Sequence, residues 1–60
     1  MTTTDTRADV VVSETQWLLD CGEDGTRIAA RLGYAHPRHL ARALRRWGRD
    51  DLAARVGEAR

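Results

Sequence analysis

The amino-acid sequence predicts an all-α chain: a three-helix core of helix-turn-helix type followed by a short C-terminal helix. Three observations carry the prediction. Apolar residues recur at helical spacing between Ile28 and Trp47. Gly22, Gly33 and Gly48 fall where successive helices should stop, and Pro37 falls where one should start. The β-branched run Val10, Val11, Val12 has no second strand with which to pair.

Residues 1–8, threonine-rich at the start and without periodicity, are expected to form a disordered leader, which leaves residues 9–60 as one domain. The first helix is predicted over about residues 13–22. Ser13 and Gln16 have the spacing of a capping box, and Val12 and Trp17 that of a hydrophobic staple. Trp17, Leu18 and Cys21 would share its inner face, with Cys21 acting as a small buried hydrophobe. The alternative is a start near Arg7, with Val10 and Val11 on the side of Trp17 and Leu18.

The second helix, about residues 25–32, takes Asp24 or Thr26 as its cap and turns Ile28, Ala29 and Leu32 inward. Gly33 ends it at positive φ, and Tyr34 follows into the core. The third helix, about residues 37–48, opens on Pro37 and carries Leu40, Ala43, Leu44 and Trp47 at i, i+3, i+4, i+7. At 100° per residue, Arg38, Arg42, Arg45 and Arg49 gather within about 60° on the opposite side. A fourth helix, about residues 50–56, places Asp50 and Asp51 at its N-terminus and uses Leu52 and Val56 to pack back on the core.

Composition excludes several classes. Sixty residues lie near the lower limit at which a chain folds without a staple. The single cysteine, Cys21, rules out an internal disulfide, and His36, His39 and Cys21 lack the fourth ligand of a structural zinc site. No apolar run approaches the ~18–20 residues that cross a bilayer, and no signal-peptide pattern is present. The expected location is therefore the bacterial or host-cell cytoplasm, near the nucleoid. No nucleophile–base pair, phosphate-cradling glycine loop or carboxylate pair is evident, and the acidic GEDG segment at residues 22–25 lacks the ligand positions of a calcium loop. No enzymatic activity, cofactor, metal or small-molecule ligand is expected.

Charge divides the chain. Residues 1–25 carry Asp5, Asp9, Glu14, Asp20, Glu23 and Asp24 against Arg7 alone. Residues 26–60 carry nine arginines against Asp50, Asp51 and Glu58, and residues 26–49 hold seven arginines and no acid. A helical unit with so cationic a face fits duplex DNA, whose major groove admits a helix. All ten basic residues are arginine, whose planar fork suits guanine edges and phosphates, although a GC-rich coding sequence produces the same bias.

A helix-turn-helix needs a small residue on its first helix, a glycine opening the turn, apolar residues locking the pair, and a polar outer face at the start of the second helix. Ala29, then Gly33, then Ile28, Leu32, Tyr34, Leu40 and Leu44, then Arg38, His39 and Arg42 meet those needs. The set Ile28-Ala29, Gly33-Tyr34, Pro37, Leu40 and Leu44 is similar in spacing to the second helix-turn-helix of AraC-type regulators. That likeness covers about 20 residues, without the partner motif or effector domain. The segment from Trp17 to Val56, with WLL, RIAARLGY and RWGR followed by DLA, also resembles small helix-turn-helix proteins of actinobacteria and their phages. The resemblance implies a homeodomain-like core and a phage-type, viral or actinobacterial transcriptional regulator that binds a specific double-stranded DNA sequence.

On that reading Arg38, His39, Arg42 and His36 are assigned to base edges. Thr26, Arg27, Arg45, Arg46 and Arg49 are assigned to phosphates, with Arg31 either joining them or pairing with the first helix. A homodimer reading two half-sites would raise the affinity of so small a module, and its surface is expected on the acidic first helix with Val10–Val12, or on the fourth. The rival function is a small adaptor or inhibitor that docks a host or viral protein through the acidic N-terminal half.

Overall fold

A computed structural model of the protein describes residues 6–58. Four α-helices in succession make up the described residues, with no strand: α1 (Thr6–Asp20), α2 (Gly25–Arg31), α3 (Pro37–Arg46) and α4 (Asp50–Glu58). One core serves them all, built from Val11, Leu18, Leu19, Ile28, Ala29, Leu40, Ala41, Leu44, Leu52, Ala53 and Val56. Helix α4 lies against each of the other three and most extensively against α3, while α1 and α3 meet only marginally. The fourth helix packs on the core through Leu52 and Val56 as the sequence predicts, and lies at its centre. Ala41, missed on sequence, and Ala53 are both buried, and their small size lets α3 and α4 approach closely.

The first helix departs most from expectation. It begins at Thr6, in line with the alternative start near Arg7 and not with a start at residue 13, so residues 6–8 of the expected leader are helical, while residues 1–5 lie outside the described residues. Ser13 and Gln16 fall in mid-helix, where no capping box can form. The buried positions are Val11, Thr15, Leu18 and Leu19, a stripe at i, i+4, i+7, i+8. Trp17 and Cys21, both expected inside, are exposed instead, and Val10 does not share the side of Val11. The physical reason is burial. Extending the helix by two turns seals Val11 into the core, worth about 1.5–3 kcal/mol for a fully buried side chain, against about 1 kcal/mol for a cap.

Where α2 and α3 end, local chemistry decides. Gly33 has φ +90°, its N–H donates to the Ala30 carbonyl, and the Tyr34 N–H donates to the Ala29 carbonyl at 2.8 Å. That double closure is the Schellman motif, and only glycine adopts the required φ at little cost. Gly48 repeats it at φ +79°, with Arg49 N–H on the Leu44 carbonyl. Among the described residues no helix is long and apolar enough to cross a membrane.

Candidate nucleic-acid interface

The arginines of α3 stand outward because Leu40 and Leu44 are fully buried on the other side. Arg38, Arg42, Arg45 and Arg46, together with His39, are exposed. None of these four guanidinium groups has a carboxylate partner within salt-bridge distance among the described residues. Arg42 forms the crest of this face. Arg38 and Arg45, seven residues apart, look into an open cleft of about 600 Å³ that Asp24, Thr26, His36, Pro37 and the end of α4 also line, with Asp24 the one carboxylate among them. Arg46 lies on the other flank, beside a second cleft bordered by Asp9 and Ser13 of α1. The face therefore has a ridge and two edges.

His36 has a structural duty that sequence reading missed. It is the N-cap of α3: its Nδ1 accepts the Arg38 backbone N–H at 3.2 Å, and Pro37 occupies the next position. With Nδ1 so engaged, only the Nε2 edge of the ring remains for a ligand. The His39 ring meets the His36 ring edge-on, with centroids 6.2 Å apart, so the two imidazoles share one end of the helix.

Three expected phosphate-binding residues sit in less cationic surroundings. Arg49 is not on α3, because the helix ends at Arg46 and turns at Gly48, although Arg49 still lines the cleft beside Arg46. Its guanidinium binds Asp51 at 3.2 Å, which raises the arginine pKa and lowers that of the carboxyl. Arg27 pairs with Glu23 at 3.6 Å, one turn back and just outside the acid-free stretch. Thr26 is exposed beside Asp24, whose Oδ1 accepts the Arg27 N–H at 2.8 Å and caps α2. A carboxylate thus already occupies the α2 terminus at which a phosphate was expected. Arg31 is exposed and makes no ion pair with α1.

No group of three or more His, Cys, Asp or Glu among the described residues is arranged to hold a metal ion. What the surface offers is four unpaired, permanently charged forks and two imidazoles on a rigidly backed helix. That arrangement can pair with phosphate oxygens and with the O6 and N7 acceptors of guanine. In comparison with known proteins, the chain matches no family model, no curated protein and no solved structure.

Proposed function

We propose that the chain is a sequence-specific double-stranded DNA-binding protein in which α2 and α3 work as a helix-turn-helix, with a homeodomain-like disposition of α1, α2 and α3. One observation carries this reading. The outward face of α3 holds Arg38, Arg42, Arg45 and Arg46 with no carboxylate of the described residues in salt-bridge contact, on a helix whose other side is locked into the core. A merely solvated helix surface ordinarily intersperses acids at i, i+4, and this one does not.

Arg38, His39 and Arg42 lie on the first turns of α3 and are assigned to base edges in the major groove, with His36 reaching a base or phosphate through Nε2. A bidentate arginine on guanine contributes about 1–3 kcal/mol of discrimination. Arg45 and Arg46 flank the crest and are assigned to phosphates. Thr26, Arg27 and Arg49 are secondary in this scheme, since carboxylates stand beside each. The spacing shared with AraC-type and small phage or actinobacterial helix-turn-helix proteins supports a role as a small transcriptional regulator. Two copies on adjacent half-sites about one helical turn apart would supply affinity that a single module lacks.

Selection of bound duplexes from a random pool tests the proposal. Enrichment of a short motif repeated with twofold symmetry is the expected result, with specificity relaxed in Arg42→Ala. Failure to enrich any sequence would contradict specific recognition.

A further inference from the structure

Arg45 and Arg46 are neighbours in sequence, yet they line different clefts. Successive side chains of an α-helix diverge by about 100°, and Arg42 projects between the two directions. Arg45 shares its cleft with Arg38, with Thr26 of α2 and with Ala54 of α4. Arg46 shares the other, of about 450 Å³, with Arg49 and with Asp9 and Ser13 of α1. Different helices thus wall the two sides of α3. The core fixes that divergence: Leu40, Ala41 and Leu44 are buried, so α3 cannot roll to bring both arginines to one side. Both side chains are exposed, and neither pairs with a carboxylate among the described residues.

We infer that Arg45 and Arg46 bind phosphates on opposite strands of one duplex, an assignment that rests on the reading of α3 as the groove-entering helix. The major groove is about 12 Å wide, and a helix with its side chains is about 10–12 Å across. A helix seated there has one sugar-phosphate strand along each flank. With Arg42 directed at the base edges, Arg45 meets the strand beside α2 and α4, and Arg46 meets the strand beside α1. The two sides are not equivalent. Asp24 on the first is engaged in capping α2, where its Oδ1 accepts the Arg27 N–H at 2.8 Å. Asp9 on the second has no salt-bridge partner among the described residues and sets a like charge against the approaching phosphates. Asp9 therefore weakens the hold on the strand beside α1.

The probe is a duplex from the random-pool selection, with single uncharged methylphosphonates placed in turn along each strand of one half-site. Where an arginine holds a phosphate, neutralising that phosphate should weaken the parent by about threefold or more and leave the matching alanine variant unaffected. Arg45→Ala is expected to silence positions on one strand only, and Arg46→Ala positions on the other. Asp9→Asn should raise affinity about twofold, a gain that vanishes when the phosphates silenced by Arg46→Ala are neutralised. Both arginine variants silencing the same strand, each silencing both strands, or an Asp9→Asn gain that tracks the Arg45 positions would overturn the inference and leave the DNA reading intact. A selection that enriches no duplex would overturn the two together.

Discussion

The Arg49 guanidinium grips both carboxylate oxygens of Asp51, with Nε 3.3 Å from Oδ1 and Nη2 3.2 Å from Oδ2. The pair bridges the turn between α3 and α4 and partly neutralises Arg49, which still lines the cleft beside Arg46. Arg49→Ala is therefore expected to change duplex affinity less than Arg45→Ala, in titrations under the same salt. The hydrogen bond from Arg49, followed by that from the Leu52 N–H, holds the Asp51 carboxyl below its ordinary range. A depressed carboxyl stabilises the fold above its unfolded pKa, and that contribution disappears as pH falls through the lower folded value. Asp51 is exposed and Arg49 half-exposed, so the effect is small and salt-sensitive. Thermal melts taken into acid should show Asp51→Asn converging with the parent at the lowest pH, and a constant difference would contradict the pairing.

Thr15 is fully buried, and its Oγ1 has no hydrogen-bond partner. An unsatisfied buried hydroxyl costs about 1–3 kcal/mol, and valine has nearly the same shape without the polar atom. Thr15→Val is expected to stabilise the chain by about 1 kcal/mol, raising Tm by about 4–8 °C for a domain of this size. A lower Tm would show that the hydroxyl has a partner.

The helix ends were legible in the sequence because their causes are local. Gly33, Gly48 and Pro37 act through their own φ, and of the two caps the sequence offers for α2, Asp24 and Thr26, it is Asp24 that caps it. The register of α1 was not legible, because only tertiary packing sets it. Thr15 has no apolar signature, Trp17 lies outside despite its size, and a capping-box spacing at Ser13 was coincidental. The arginine face of α3 could be read from a helical wheel. Its limits could not, since Glu23 and Asp51 lie just beyond the acid-free stretch and fold back on Arg27 and Arg49.

Gly33 has open space around the position a Cβ would take, so its constraint is torsional rather than steric. Gly33→Ala is expected to cost about 1–2 kcal/mol through the left-handed backbone alone. Chemical denaturation would record this as a lower midpoint at unchanged slope. Equal stability of the two proteins would mean that the turn relaxes.

The cap on α3 gives a paired test at His36. His36→Ala removes the acceptor for the Arg38 N–H and should cost about 1 kcal/mol, whereas His36→Asn keeps an acceptor and should cost little. If duplex affinity falls in both while stability falls only in the first, the imidazole also touches DNA.

The most direct test of the central claim is the salt dependence of binding to duplex DNA. Each phosphate neutralised contributes about −0.9 to the slope of log affinity against log salt, so a steep negative slope is expected, shallower by about one unit in Arg45→Ala. No measurable binding near 50 mM salt, or a slope that Arg45→Ala leaves unchanged, would contradict the assignment of the α3 face to DNA.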